Sequence, residues 1–294
     1  MAATLFIDTF LDPQPHPPFF SSIIFIYTTI NNFMVRFLII LYLIVFSTFA
    51  NGDDRHGVEM LQVNPSPRHI KVEDKLSDII KHCEPEIFDA TYGRSTQAHE
   101  TVHVINSFMR NRMFKKGHKR ANTFYCGNGK AVMVENPNIS IRHVSRFVPG
   151  VLRGGRYNLY FVEQLQYWDD TPTYIMDEWS AYIAGAEVGV EDFLDNGLPK
   201  EKSDIVCGAL EFSIYSVALC MATKECDPQY WLSDERLKDS VKYLLIRAEK
   251  VYFRGCEHFP SEKQSRLLES LRFDKEASDV RNFLVNEFDS IFIK

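Results

Sequence analysis

The chain has 294 residues, of which 45% are hydrophobic and 24% are charged, and its formal net charge is −6 at pH 7. The mild acidity and the lack of a basic stripe argue against a nucleic-acid partner, because binding to phosphates needs clustered Lys and Arg side chains. One basic cluster is present, near the predicted end of a helix, and it comprises Lys115, Lys116, Lys119 and Arg120.

The N-terminal segment has the order of a secretory signal peptide. A short basic start at residues 34–36 precedes an apolar run at 37–46, and small residues follow up to Ala50. This succession of basic, apolar and small residues is typical of a signal that is cleaved on export. The apolar run is shorter than the roughly 20 residues that a membrane-spanning helix needs.

We therefore expect residues 1–50 to be a leader, with translation starting at Met34, and residues 51–294 to form a single secreted domain. The mature part is long enough for one substantial core. The alternative is a signal anchor built from residues 19–50, in which case an uncleaved leader would hold the protein at a membrane.

The predicted mature region contains all six cysteines of the chain: Cys83, Cys126, Cys207, Cys220, Cys226 and Cys256. An even number of cysteines behind a secretory signal predicts disulfide bonds. The sequence does not choose among the possible pairings. No C-x-x-C pair occurs, which argues against a zinc site made of cysteines.

The first predicted elements are an extended lead-in over 51–72, a short helix within 74–90 and a longer helix over 95–116. Ser95 or Thr96 is the predicted N-cap of the longer helix. That helix has an apolar stripe at helical spacing, made of Val102, Ile105, Met109 and Met113. One face of this helix is therefore expected to be buried.

Alternating and turn-forming residues follow this helix. Three short strands are predicted at 122–126, 130–135 and 139–144, separated by Gly-Asn-Gly and Asn-Pro-Asn turns. They would form a small antiparallel sheet beside the helix over 95–116. Such a sheet could line a cleft and offer an edge strand to an extended peptide.

The remainder of the chain is predicted to be largely helical. A helix is expected within 174–187, a buried apolar helix over 205–222, and amphipathic helices over 234–253 and 261–290. The predicted fold class is α+β, mostly helical, with a small antiparallel sheet beside the helix over 95–116.

The segment that carries chemistry is His99-Glu100-Thr101-Val102-His103, which reads H-E-x-x-H. Two histidines four positions apart lie on one helical face, so both imidazoles can reach one metal ion. Zn²⁺ is the ion that this pattern predicts, with His99 and His103 as ligands. Glu100 points to the side, where it can hold the attacking water without binding the metal.

A third ligand has to come from elsewhere in the chain. The continuation that supplies a third histidine is absent, because Asn106 and Met109 stand at its Gly and His positions. Glu178 is the predicted third ligand, since it opens a downstream helix whose small residues allow close packing. Other acidic residues remain as alternatives: Glu187, Asp177, Glu163, Asp169 and Asp170.

These motifs resemble those of the gluzincins, the zinc metallopeptidases with two motif histidines and a distal glutamate. The stretch around Glu178 is similar in style to the glutamate helix of anthrax lethal factor-type peptidases. The resemblance covers residues 95–111 and 167–187, and it implies a zincin-like catalytic domain. Two departures exist: Glu178 is further from His103 than in many gluzincins, and Tyr182 replaces a frequent acid.

The predicted mechanism is hydrolysis of a peptide bond by a water that zinc activates. His99, His103 and Glu178 would hold the ion, and Glu100 would accept the proton of the water and pass it to the leaving amine. Tyr174, one turn before Glu178, is the predicted donor to the negative charge that develops on the attacked carbonyl.

The alternatives for this donor are Tyr182, Tyr157, His143 and Arg153. Asn106, close to one turn beyond His103, is expected to brace that ligand.

A peptide or protein is the expected substrate of the secreted enzyme. Two other functions are compatible with the sequence. One is a secreted zinc-binding module without catalysis, and the other is a zinc hydrolase that acts on a non-peptide amide. Digestion of a mixed peptide library separates peptidase activity from both.

Overall fold

The computed structural model describes four stretches of the chain: 59–64, 70–83, 93–197 and 204–294. All of them belong to one unit of the chain, His56–Lys294. The predicted leader over residues 1–50 and its start at Met34 lie outside the described residues.

Helices dominate the described residues, with three strands among them. The strands are β1 (Leu61–Gln62), β2 (Ala121–Gly127) and β3 (Lys130–Glu135). The helices are α1 (Lys75–Lys81), α2 (Arg94–Lys115), α3 (Ile141–Ser145), α4 (Leu165–Trp168), α5 (Tyr174–Asn196), α6 (Cys207–Cys226), α7 (Pro228–Ser233), α8 (Arg236–Gly255), α9 (Glu262–Phe273) and α10 (Ser278–Phe283). The predicted α+β class, mostly helical with a small antiparallel sheet, is confirmed.

The sheet has the strand order β1-β3-β2, and all its pairs are antiparallel. The predicted hairpin of β2 and β3 is present, and its turn is made by Gly127, Asn128 and Gly129, which all have positive φ angles. Glycine and asparagine tolerate this backbone region, which explains why the turn forms here. Strand β1 comes from the segment that the sequence predicts as an extended lead-in.

The third predicted strand, over 139–144, is wrong, because helix α3 occupies most of this segment. Ser140 precedes the helix, and both its backbone N–H and its hydroxyl lie against His143 Nδ1, at 3.1 and 2.9 Å. Ile141 and Val144 are both buried. Their separation of three positions fits a helix, whereas a strand would bury alternate residues.

The open strand edge expected from the sequence is not available on β2. Every residue of this strand except Gly127 is buried. The backbone N–H of Tyr125 donates to Asn106 Oδ1 at 2.7 Å, and its carbonyl accepts from Arg247 Nη1 at 3.4 Å. At Tyr125, side chains therefore occupy the backbone groups with which an added peptide strand would pair.

Helix α2 confirms the predicted apolar stripe, whose four members are buried. The predicted N-cap is wrong, because the helix begins at Arg94 and the cap position is Gly93, which has no side chain to accept a hydrogen bond. Ser95 already lies inside the first turn. Its hydroxyl donates instead to the Gly185 carbonyl on α5, at 2.8 Å.

The core is built around α5, which packs against α2, α6 and α8. The predicted buried helix over 205–222 is α6, and its residues from 207 to 220 are all buried. Trp179 on α5 is completely buried and donates its indole N–H to the Ala209 carbonyl at 3.2 Å. Burial of each large apolar side chain contributes about 1.5–3 kcal/mol. The Trp179 contact thus helps to hold α6 against α5.

The two last predicted helices differ in outcome. Helix α8 matches the prediction over 234–253 closely. The single helix predicted over 261–290 is interrupted, because Asp274 adopts an extended conformation with ψ of 137° and ends α9. Helix α10 then begins after a short 3-10 turn.

No disulfide forms between cysteines in the described stretches, which include all six. Cys207, Cys220 and Cys226 lie on the single helix α6. Neighbouring members of this set are about 20 and 9 Å apart along the helix axis, too far for a disulfide, whose Cα atoms lie within about 7 Å of each other. The expected disulfides are therefore absent from this structure.

Among the described helices, none is both long enough and apolar enough to cross a lipid bilayer.

Candidate metal centre

Three side chains from two helices converge on one point. His99 and His103 lie one turn apart on α2, and Glu178 lies near the start of α5. The Nε2 atoms of the two histidines are 3.2 Å apart. Glu178 Oε2 is 3.6 Å from His103 Nε2 and 3.9 Å from His99 Nε2. The structure thus brings together the three residues that the sequence predicts as metal ligands.

Close packing of α2 against α5 makes this convergence possible. The contacts pair early residues of α2 with late residues of α5, from Arg94 with Asp192 to His103 with Asp177, so the two helices are antiparallel. Gly185 lies at a close approach of the two helices. A Cβ atom at this position would be 3.0 Å from the Ser95 carbonyl oxygen.

Asp177 orients the second histidine. Its Oδ2 is 2.8 Å from His103 Nδ1. The imidazole therefore directs an Nδ1 proton to the carboxylate, and its Nε2 faces Glu178 and His99, where it can bind a metal ion once it has lost its own proton. A carboxylate behind a metal-binding histidine is the usual way in which proteins fix the ring and its tautomer.

Asn106 braces Asp177 rather than His103 itself. Its amide donates to Asp177 Oδ1 at 2.6 Å and to the Ser180 hydroxyl at 2.9 Å. Its carbonyl oxygen accepts the backbone N–H of Tyr125 on β2. The sheet, α2 and α5 are therefore connected through one buried amide that lies directly behind the centre.

Two tyrosines hold the carboxylate of Glu178. Tyr160 donates to Oε2 and Tyr174 donates to Oε1, each at 2.8 Å. Tyr160 was not among the residues predicted from the sequence. It lies on a five-residue π-helical turn, Leu159–Glu163. No sequence pattern indicates a π-helical turn, so only the nearby run of aromatic residues could have drawn attention to it.

Tyr174, the predicted donor to the attacked carbonyl, is thus placed next to the centre, but with its hydroxyl on Glu178. Among the alternatives, Tyr182 packs its ring edge-on against the His99 ring, with centroids 4.5 Å apart. Tyr157 stacks on Phe161. The two remaining candidates contact other residues: His143 contacts Ser140 and Arg153 contacts Tyr157.

The other acidic candidates for the third ligand are engaged elsewhere or lie apart from the cluster. Glu187 forms an ion pair with Arg247 at 3.0 Å, and Asp169 forms one with Arg142 at 3.2 Å. Glu163 and Asp170 are exposed. In the described part of the chain, Glu178 is the acid that lies close to both motif histidines.

Glu100, the predicted proton acceptor, is exposed on α2, directly after His99. It takes part in none of the ion pairs among the described residues. A carboxylate at this position is accessible to solvent, whereas Asp177, Tyr160 and Tyr174 hydrogen-bond to the predicted ligands themselves.

A charged network supports the ring of Tyr182 behind His99. The Arg156 guanidinium lies 4.6 Å from the Tyr182 ring centroid. Arg156 forms ion pairs with Glu211 at 3.1 Å and with Asp204 at 2.8 Å. Because Glu211 is completely buried, this pair stabilises a defined position for Arg156 and hence for the aromatic ring between it and the metal ligand.

The environment sets different protonation states for the two histidines. Burial, together with the positive charge of His103, lowers the pKa of His99 to about 4. Burial also opposes a charge on His103, but the hydrogen bonds to Asp177 and Glu178 outweigh it and raise the pKa of His103 to about 10. Burial likewise opposes a charge on Glu178, yet its bonds from His103 and the two tyrosines lower its pKa overall.

The three ligand atoms suit a divalent metal ion. In a tetrahedral zinc site the ligand atoms lie about 2.0–2.2 Å from the ion, which places them roughly 3.3 Å from one another. The observed separations of 3.2 to 3.9 Å need only small side-chain adjustments to reach this geometry. Two imidazoles and one carboxylate leave a fourth position for water or substrate. The site is thus a candidate metal centre of the H-E-x-x-H type.

Comparison of the chain with protein-family models, with curated proteins and with solved structures finds no match. The metal centre is therefore interpreted from its own residues.

Proposed function

We propose that the protein is a zinc-dependent peptidase with a zincin-like, gluzincin-type centre, exported by its predicted leader, that hydrolyses peptide bonds in a peptide or protein. The observation that supports this most is the convergence of His99, His103 and Glu178, with Asp177 fixing the tautomer of one ligand. Imidazole and carboxylate ligands suit several divalent metals. Zinc is proposed because two histidines, one carboxylate and one open position form a common catalytic zinc site.

Each group of the chain has a defined task in this proposal. When bound, zinc supplies Lewis acidity that brings the pKa of a water toward 7. The exposed Glu100 accepts the proton of the attacking water and transfers it to the leaving amine. Asp177 keeps the His103 proton on Nδ1, while Tyr160 and Tyr174 hold the Glu178 carboxylate toward the two imidazoles.

Tyr174 is also the proposed donor to the attacked carbonyl oxygen. Its hydroxyl proton points to Glu178 in this structure, so donation to a substrate requires an exchange of one acceptor for another. A Tyr174→Phe variant tests this role directly.

The central test is the substitution Glu100→Gln. Because Glu100 is exposed and is not a ligand, the variant is expected to keep its zinc and to lose hydrolysis of a mixed peptide library by a factor of about 100 or more. Zinc content is measured by elemental analysis and products by mass spectrometry. Glu269→Gln makes the same charge change at an exposed site on α9 and serves as the control.

The outcomes separate the competing functions. Peptide cleavage by the wild type that survives in Glu100→Gln would remove Glu100 from its proposed role. If zinc is bound but the wild type leaves every peptide intact, the protein is not a peptidase. A zinc-binding module or a hydrolase of non-peptide amides then becomes the better proposal.

A further inference from the structure

One cation on α2 shares the helical face of the metal ligands. Arg110 follows His99 by eleven positions, which at 3.6 residues per turn places it about 20° around the helix from His99. His103 lies about 40° from His99 on the same scale. All three side chains therefore leave the helix in nearly the same direction.

Arg110 is one of several arginines that form no ion pair with an acidic side chain among the described residues. Arg94, on the same helix, forms ion pairs with both Asp74 and Asp192. Arg156 is paired with Glu211 and with a second carboxylate. Arg110 is exposed, and its guanidinium lies 3.5 Å from the Ser107 hydroxyl, too far for a strong hydrogen bond.

Arg110 lies on the part of α2 that is nearest to the start of α5. The two helices are antiparallel, with Arg94 beside Asp192 and His103 beside Asp177. Residues of α2 beyond His103 therefore lie toward Tyr174, the first residue of α5. An unpaired guanidinium is also the group best suited to bind a carboxylate through two parallel hydrogen bonds.

On the basis of the proposed peptidase function, we propose that Arg110 binds a carboxylate of the substrate. The enzyme would then prefer peptides that carry an acidic group near the hydrolysed bond. Arg110 lies about 10 Å beyond His103 along the helix axis, and an extended peptide advances about 3.3–3.6 Å per residue. The acidic group is therefore expected about three residues from the hydrolysed bond.

Two kinds of peptide carry such a carboxylate, and the substrates distinguish them. The host is a neutral fluorogenic peptide with an amidated C-terminus. One series places a single Glu at each position up to four residues on either side of the hydrolysed bond. The other ends the neutral peptide in a free carboxylate at the same distances. Preference for the first series identifies an acidic side chain, and preference for the second identifies a C-terminus.

The variants are Arg110→Gln, Arg110→Glu and the control Lys115→Gln. Lys115 is an exposed residue of α2 that lies roughly 160° around the helix from His99. For the zinc-loaded wild type we expect the best acidic peptide to have a KM about fivefold below that of the neutral host. Arg110→Gln should remove this difference, Arg110→Glu should favour a Lys-containing peptide instead, and Lys115→Gln should retain the wild-type preference.

A binding experiment separates this inference from the proposed function. Labelled peptides are added to the zinc-loaded Glu100→Gln variant, with and without the additional substitution Arg110→Gln, and binding is measured by fluorescence anisotropy. If acidic peptides bind through Arg110 but none is hydrolysed by the wild type, the inference holds and the peptidase proposal fails. Hydrolysis without any preference for acidic peptides, or a preference that persists in Arg110→Gln, overturns the inference alone. The absence of both binding and hydrolysis overturns both.

Discussion

The hydrogen bond between Asp177 and His103 determines both the orientation and the protonation of one predicted metal ligand. The carboxylate fixes the half-buried His103 ring with Nδ1 toward itself, so that Nε2 faces the other two predicted ligands. Asp177 is in turn held by Asn106, so its own rotation is restricted. A metal ligand with a fixed ring loses less conformational entropy on binding than a mobile one, and it is also more basic.

Replacement of Asp177 by Asn should therefore weaken metal binding while leaving all three ligands in place. We expect zinc affinity to fall by about 10- to 100-fold, as measured by competition with a chromophoric chelator. Asp195→Asn, an exposed position on the same helix, is the matched control and should bind zinc like the wild type. Equal affinities for Asp177→Asn and wild type would show that this contact does not orient the ligand.

The two tyrosines on Glu178 allow structural and catalytic roles to be separated. Each gives a hydrogen bond to a charged group, and loss of such a bond costs about 1.5–3 kcal/mol. Tyr160→Phe should thus lower zinc affinity about tenfold or more.

Tyr174→Phe should lower zinc affinity to the same extent. Because Tyr174 is also the proposed donor to the attacked carbonyl oxygen, this variant should in addition lower kcat of the zinc-saturated enzyme. The exposed Tyr167→Phe is the control. A Tyr174→Phe enzyme with unchanged kcat at saturating zinc would leave Tyr174 with only the structural role.

Site residues that belong to a local sequence pattern can be predicted from the sequence, whereas those brought to the site by tertiary contacts cannot. His99 and His103 are four positions apart on a segment with an apolar stripe at helical spacing, so their common face is visible in the sequence alone. Glu178 could be predicted from its place in a small-residue helix. Tyr160 could not, because only the packing of a π-helical turn against α5 brings it to the carboxylate. Arg110 is exposed, and its proposed role in substrate binding can be inferred only once the face of α2 that carries the predicted ligands is known.

Helices whose apolar residues recur at helical spacing were predicted from the sequence. Elements whose conformation depends on contacts with other parts of the chain were not. Helices α2 and α8 bury one face, and α6 is buried on all sides. In each case the buried residues are recognisable in the sequence from the spacing or the continuity of apolar residues. The segment 139–144 looks like a strand because it contains β-branched residues, yet Ser140 and His143 form a cap that starts α3. Strand β1 has only two residues and depends entirely on pairing with β3. Local propensity is a weak guide where tertiary contacts decide the conformation.

Helices α5 and α6 meet at a position that controls the metal ligand indirectly. Gly208 on α6 faces the ring of Tyr182, and a Cβ atom there would lie 2.3 Å from the ring atom Cδ1. Since the same ring packs against His99, an added methyl group must push either the helix or the ring. The spacing between the two helices and the position of a ligand are therefore coupled.

Gly208→Ala is accordingly expected to lower the free energy of unfolding by about 1–3 kcal/mol through overpacking and to weaken zinc binding at the same time. Urea denaturation and chelator competition measure the two effects. Gly150→Ala is the control, because a Cβ atom at Gly150 meets no atom within 4 Å. Normal zinc binding in a destabilised Gly208→Ala protein would show that the Tyr182 ring can move without displacing His99.

At the scale of the whole molecule, the metal centre links folding to pH and to zinc. The ligands come from α2 and α5, which form one side of the core, so an ion bound there stabilises the folded state over the unfolded chain. Without the ion, the same site contains two half-buried histidines whose protonation differs from that in the unfolded state. Stability must then depend on pH in a way that is specific to this site.

The signs follow from the two pKa shifts. The pKa of His103 is raised from its usual 6.5 to about 10, so its contribution is fully present below pH 6.5 and is lost as the pH rises toward 10. The pKa of His99 is lowered to about 4, so unfolded chains bind a proton that the folded protein does not, and stability is lost as the pH falls from 6.5 toward 4. The two limbs meet near pH 6.5.

Protein stripped of metal by a chelator should consequently have its highest melting temperature near pH 6.5, measured by differential scanning calorimetry across this range. Asp177→Asn removes the main partner of the His103 proton and should flatten the alkaline limb relative to the wild type, whereas Asp195→Asn should not. Zinc competes with that proton, so the rise in melting temperature on adding zinc should grow as the pH increases from 6.5. If the melting temperature falls equally steeply above pH 6.5 in the wild type and in Asp177→Asn, the pH dependence does not come from the contact between Asp177 and His103. If the zinc effect does not increase with pH, His103 is not among the ligands.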